Sequence, residues 1–112
     1  MADKELVWLH GEIKTPPFSD EARRTIGYLL RYVQQGNPLG MPDAKPMPSI
    51  GVHCHELRVR DPRMKVTWRL IYRIDQDVIL IGDVFAKKTQ QTPQNVIEAC
   101  QRRFARHDRA KK

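Results

Sequence analysis

The sequence predicts an α+β fold: a mainly antiparallel sheet of three or four strands with packed helices, in the order β-α-(loop or short α)-β-β-β-α. Three observations carry this. Two segments repeat apolar residues at helical spacing, three consecutive segments in the second half have strand length and patterning, and a proline-rich stretch separates the first helix from those strands. The chain has 112 residues. That suits one domain over 1–112, large enough to bury a core without disulfides or a structural metal.

Taken in order, Leu6-Val7-Trp8-Leu9-His10 reads as a short buried strand ended by Gly11. Thr15-Pro16-Pro17-Phe18 breaks the chain, and Ser19 is suited to cap a helix whose first turn carries Asp20 and Glu21. Ala22, Ile26, Leu29, Leu30 and Val33 form one apolar helical face. Gly36 suits the position after the helix, and Pro38 blocks extension. Residues 37–51 hold Pro38, Pro42, Pro46 and Pro48, which exclude a long helix or a central strand. One irregular helical turn fits there, with Leu39, Met41 and Met47 available to pack on the core.

His55–Arg60 alternates, with Leu57 and Val59 on one face and Glu56, Arg58 and Arg60 on the other. Asp61-Pro62 makes a turn. Val66–Ile74 puts Trp68, Leu70, Tyr72 and Ile74 on one face and Arg69, Ile71 and Arg73 on the other. After the link Asp75-Gln76-Asp77, Val78–Phe85 is apolar on both faces, as in an interior strand. Tight links between these three strands imply an antiparallel meander. Thr92-Pro93 fits an N-cap followed by proline. Val96, Ile97, Cys100 and Phe104 then stripe a last helix whose other faces carry Arg102, Arg103 and Arg106, running into a basic tail to Lys112.

Mean hydropathy is −0.60, and no apolar run approaches the roughly 18 residues of a membrane span. The N-terminus, Met1-Ala2-Asp3-Lys4-Glu5, lacks the apolar core of an export signal, so a cytoplasmic protein without membrane partners is expected. Cys54 and Cys100 are then two reduced thiols. His53-Cys54-His55 is a weak hint of a metal, because a closed site wants four ligands and no matching partner stands elsewhere. Glycine-rich phosphate loops, nucleophile elbows and zinc-protease helices are all missing.

Charge is the most informative feature. Residues 1–56 hold 6 lysines and arginines against 7 acidic residues; residues 57–112 hold 14 against 6. An excess confined to one half of a small protein points to an anionic partner. Arg58 and Arg60 on one strand, with Arg69 and Arg73 on the next, project from the face opposite the apolar residues, and Lys87 and Lys88 follow the third strand. Two explanations are open: a polyanion site, or pairing with Glu56, Asp75, Asp83 or Glu98 and plain solvation. Such a group has the parts for phosphodiester chemistry on RNA, which carries its own 2′-hydroxyl nucleophile. Arginine forks match phosphate oxygens, and a lysine among arginines has a lowered pKa suited to proton transfer. Tyr72 and His107 are further proton carriers to consider, although Tyr72 stands on the apolar side of its strand.

Glu56-Leu57-Arg58, Trp68-Arg69-Leu70-Ile71-Tyr72-Arg73 and Phe85-Ala86-Lys87-Lys88-Thr89-Gln90-Gln91-Thr92-Pro93, in that order, resemble the HigB-type, phage-derived branch of the RelE/ParE toxin superfamily. The resemblance covers nearly the whole chain, and Phe-x-Lys-Lys-Thr-x-x-Thr-Pro is its most specific part. It implies a RelE-like fold and a toxin neutralised by a cognate helix-turn-helix antitoxin. It also implies an endoribonuclease, an mRNA interferase that cuts message on the ribosome with no cofactor and no metal. By position it assigns Arg58, Arg69, Lys87 and Lys88 to catalysis. Arg60, Arg73, Arg102 and Arg103 are the expected RNA-binding residues. The last helix lacks the C-terminal tyrosine of several nucleases in the superfamily, and only His107 stands near that place. Two other functions fit the same fold: a ParE-like, non-enzymatic poison of DNA gyrase, and a basic nucleic-acid-binding module without activity.

Overall fold

The computed structural model describes residues 3–9, 18–87 and 91–111. The elements are β1 (Glu5–Trp8), α1 (Asp20–Gln34), β2 (Ala44–Pro46), β3 (Cys54–Asp61), β4 (Val66–Ile74), β5 (Val78–Lys87) and α2 (Gln94–Ala110). They make an α+β fold around one five-stranded sheet in the order β1-β5-β4-β3-β2. The meander β3-β4-β5 forms as its patterning predicts.

The sheet departs from expectation in three ways. It has five strands rather than three or four. It is mainly antiparallel, as expected, but not wholly so, because β1 pairs with β5 in parallel. The proline-rich stretch forms no helical segment; Ala44–Pro46 adds an antiparallel edge strand against His55–Leu57. An edge strand tolerates Pro46 because only one of its sides must supply ladder bonds. The first strand is also an edge, so it is half-buried where a buried strand is expected, and Trp8 is exposed. His10, Gly11 and Thr15–Pro17 lie outside the described residues.

α1 follows its sequence closely. Ser19 is extended and its Oγ accepts the Ala22 N–H at 3.1 Å. At the other end Gly36 takes φ +94°, its N–H bonds Val33 O, and the Asn37 N–H bonds Tyr32 O, a Schellman closure that satisfies two terminal carbonyls. α1 packs Ile26, Leu29, Leu30 and Val33 on the sheet face made by Leu57, Val59, Trp68, Leu70, Tyr72, Ile79 and Ile81. α2 lies on the opposite face, with Val96, Cys100 and Phe104 against Cys54, Ile71 and Leu80.

A β-bulge in β5 makes room for α2. The register passes from Tyr72↔Ile81 to Ile71↔Asp83, which leaves Gly82 as the extra residue. A side chain at Gly82 would sit 2.9 Å from Phe104 Cζ and 3.0 Å from Cys100 Sγ, so glycine is what lets the helix approach. The bulge also reverses the alternation of β5. Ile79, Ile81 and Val84 face the α1 core, while Val78, Leu80 and Phe85 face the α2 side.

Candidate nucleic-acid interface

Arg58 on β3 stands directly opposite Arg69 on β4. Both belong to the α2-side face, at the end of the sheet nearer the β3–β4 turn; Phe85 is the β5 partner of Arg69. Like charges placed opposite one another destabilise a sheet unless something compensates. For Arg69 that is Glu56, which has no exposed surface and accepts a bond from Arg69 Nη1 at 2.9 Å. Arg69 itself is only 5 % exposed. Glu56 also accepts a short hydrogen bond from the Thr92 hydroxyl, and Lys45 Nζ on β2 lies 3.9 Å from it. The carboxylate therefore joins β2, β4 and the segment leading into α2. Arg69 Nε is buried and has no hydrogen-bond partner among the described residues. Arg58 is half-buried and makes no ion pair among them.

The other expected site residues fall in different places. β5 ends at Lys87, whose backbone pairs with Thr67, one step along the ladder from Thr67's neighbour Trp68 and two from Arg69. Lys88 lies outside the described residues. Arg60 is exposed on β3, and Arg102 is exposed on α2. Arg73 stands at the far end of β4, away from Arg58. Its Nε and Nη2 bond Asp75 at 2.8 and 2.9 Å, its guanidinium bonds Asp108 at 2.7 and 3.1 Å, and its Cζ lies 5.1 Å from the centre of the Phe104 ring. Arg103 bonds the Gly82 carbonyl at 2.7 Å and approaches Asp83 at 3.7 Å. Arg73 and Arg103 thus tie α2 to the sheet, and the four sheet arginines are not one cluster. Of the pairings weighed from the sequence, Glu56 takes Arg69 and Asp75 takes Arg73, whereas Asp83 approaches Arg103 of α2 rather than a sheet arginine and Glu98 makes no ion pair among the described residues.

Several chemistries are closed by burial. Tyr72 has no exposed surface, and burial pushes its hydroxyl up to about 12; it stacks on His55 on the α1 side of the sheet. Burial likewise raises the Cys54 thiol to about 11 and the Cys100 thiol to about 12, so neither is a thiolate near neutral pH. Cys54 packs in the α2-side core, while His55 lies on the other face, so His53-Cys54-His55 does not converge. Among the described residues, no three His, Cys, Asp or Glu side chains come together to hold a metal ion. No helix among them is long and apolar enough to cross a membrane.

The sequence marks Glu56 as a possible counter-ion and part of the Glu56-Leu57-Arg58 motif, and Thr92 as a helix cap and part of the motif ending in Pro93, with no sign that the two meet. In the structure Pro93 caps α2 and the Thr92 hydroxyl goes to Glu56 instead. The available signal was an acidic residue on the polar face of a strand, flanked by cationic partners on both neighbouring strands.

The fold is that of a small α+β protein with the Arg58–Arg69 pair on the α2-side face of its sheet. The model of the phage-derived Gp49-like protein family (DUF891) matches residues 16–105, and the chain belongs to that family. The match bears out the coarser part of the resemblance, a toxin-like, phage-derived family in the RelE/HigB area. No curated protein matches the chain.

Proposed function

We propose that this chain is the toxin of a type II toxin–antitoxin pair: a HigB-like, ribosome-dependent mRNA endonuclease of the cytoplasm, held inactive by a cognate helix-turn-helix antitoxin. The observation that carries the proposal is the Arg58–Arg69 pair on the α2-side face, near the β3–β4 turn. One guanidinium is buried and fixed by Glu56, and the other has no counter-ion among the described residues. A fixed arginine fork beside a second cation suits a phosphate whose negative charge grows during the reaction.

In the proposed reaction the 2′-oxygen of the message attacks the adjacent phosphorus and the bond from phosphorus to the 5′-oxygen breaks. The products are a 2′,3′-cyclic phosphate and a 5′-hydroxyl, so atoms balance without water. The 2′-hydroxyl proton leaves to a base and the departing 5′-oxygen receives one. Lys87 and Lys88 are the assigned proton carriers, because Tyr72 is sealed in the core and His107, its Nε2 buried, lies in the last turn of α2 beside the Arg73–Asp108 pair, away from Arg58. Arg58 and Arg69 stabilise the charge on the phosphate.

The test is controlled induction in a bacterial host, with message 5′ ends mapped at codon resolution. Cuts within translated frames are expected from the wild type and not from Arg58→Ala or Lys87→Ala. Arg69→Lys, which keeps a cation beside Glu56 but loses the fork, is expected to cut at least ten-fold more slowly. Arg69→Ala alone is a poor probe because it strands Glu56. Arrest of growth with intact messages would overturn the nuclease and favour the gyrase poison; no arrest would favour the inactive binding module.

A further inference from the structure

The β3–β4 turn carries a second set of cations that the cleavage site does not use. Arg60, Arg63 and Lys65 are all exposed, and none is ion-paired among the described residues. They stand on the hairpin that also bears Arg58 and Arg69, so cations run from the turn to the site. The only acidic residue within the turn is Asp61, which points inward and has no exposed surface. Asp20 and Glu21 adjoin the turn through the start of α1, and neither pairs with its cations.

The turn is held rigidly. Asp61 Oδ2 accepts the Ser19 N–H at 2.9 Å and the Trp68 indole N–H at 3.0 Å, while Oδ1 accepts the Met64 N–H at 3.2 Å. Phe18 packs edge-on against Trp68 with ring centroids 4.8 Å apart, which braces the same corner. Lys65 takes φ +57°, a left-handed conformation that a lysine adopts at some cost. A turn fixed this firmly loses little conformational freedom when it binds.

We infer that the β3–β4 turn, through Arg60, Arg63 and Lys65, is a docking arm for the phosphate backbone of double-helical RNA. The choice of RNA rests on the function proposed above. The choice of a helix over a single strand rests on the turn itself. Single strands are held by stacking bases on exposed aromatic rings, and residues 60–67 contain none, while Trp68 is buried. Duplex RNA is recognised mainly through its shape and its phosphates, which a rigid, exposed, cationic turn matches. The arm thus holds structured RNA while the Arg58–Arg69 end of the face holds the strand to be cut.

The experiment is fluorescence anisotropy of the purified chain with a labelled RNA duplex of about 16 base pairs, the span of a shape-reading domain, titrated across a range of salt. A single-stranded RNA and a DNA duplex of equal length are run alongside. The variant is Arg63→Ser/Lys65→Asn, in which asparagine tolerates the left-handed backbone and keeps the fold. The wild type is expected to prefer the RNA duplex. The double variant is expected to bind at least ten-fold more weakly at low salt, with a salt slope shallower by about one per cation removed. Unchanged affinity in the variant, preference for the single strand, or equal binding of DNA would each overturn the arm. Message cleavage by the wild type is scored separately. A wild type that cuts messages while the variant binds normally sinks the arm alone, and a wild type that binds duplex without cutting sinks only the nuclease.

Discussion

A carboxylate with no exposed surface is tolerated only where its charge and lone pairs are matched, and Glu56 meets that condition with Arg69, Thr92 and Lys45. The pair it makes with Arg69 adds little net stability over a hydrophobic pair of similar volume, whereas removing one partner leaves a buried charge uncompensated. That asymmetry separates stability from function. Glu56→Ala is expected to lower the unfolding free energy by about 3–5 kcal/mol, read from urea denaturation. The double variant Glu56→Leu/Arg69→Met is expected to recover most of that loss and still cut no message. A double variant as unstable as the single one would mean that the pair sits in better-solvated surroundings than its burial implies. Retained cleavage in a folded double variant would remove Arg69 from the site.

The elements around that residue are legible in the sequence to different degrees. Local chemistry was readable: Ser19 caps α1, Gly36 closes it, and Val66–Ile74 has the bounds its alternation predicts. Features that depend on a distant partner were not. β2 is three residues between prolines and exists because β3 offers it an edge, and the parallel pairing of β1 has no local signature. Nothing near Arg73 indicates that it bonds Asp108, 35 positions away. Glu56, Arg58 and Arg60 stand on one face as their alternation predicts, yet their division into a buried pair and cations with no counter-ion among the described residues needs the register. Asp61 is a further case, read as a turn residue and found as the pin between α1 and the β3–β4 hairpin. Burial alone would raise its pKa; the hydrogen bonds from Ser19, the Trp68 indole and the Met64 N–H outweigh that and hold the carboxyl well below the usual range. A carboxyl depressed in the folded state contributes stability above its unfolded pKa of about 3.9 and loses it as pH falls toward the folded value. Asp108, lowered by its bonds to Arg73, acts in the same direction from an exposed position. Thermal melts should therefore show stability dropping progressively below about pH 5. Asp61→Asn should start less stable at neutral pH and lose less on acidification. A variant that tracks the wild type in parallel down to pH 3 would show that Asp61 is not the pin.

At the scale of the whole molecule, charge and coverage are arranged together. α1 packs on one face of the sheet and α2 on the other, whose end nearer the β3–β4 turn carries Arg58 and leads to Arg60, Arg63 and Lys65. The second half of the chain holds 14 lysines and arginines against 6 acidic residues, so the cations repel one another in the folded state. Ion pairs act in the opposite sense, but they differ in their response to salt. Arg31–Asp3 and Lys111–Asp77 are exposed, and such pairs contribute at most about 1 kcal/mol each. Arg69–Glu56 is buried and is screened weakly. Raising salt from about 10 mM to about 150 mM shortens the screening length from roughly 30 Å to roughly 8 Å, which relieves repulsion among the exposed cations more than it weakens the buried pair. The melting temperature of the free protein should accordingly rise by about 2–5 °C, the equivalent of under ~1 kcal/mol. The rise should shrink in Arg63→Ser/Lys65→Asn, which removes two of the repelling charges. A fall in melting temperature with salt would mean that the exposed ion pairs outweigh the repulsion. The cationic end of the molecule would then be electrostatically satisfied on its own, with no repulsion for a polyanion to relieve. A rise is the thermodynamic mark of a surface that keeps its charges unpaired for a partner to neutralise.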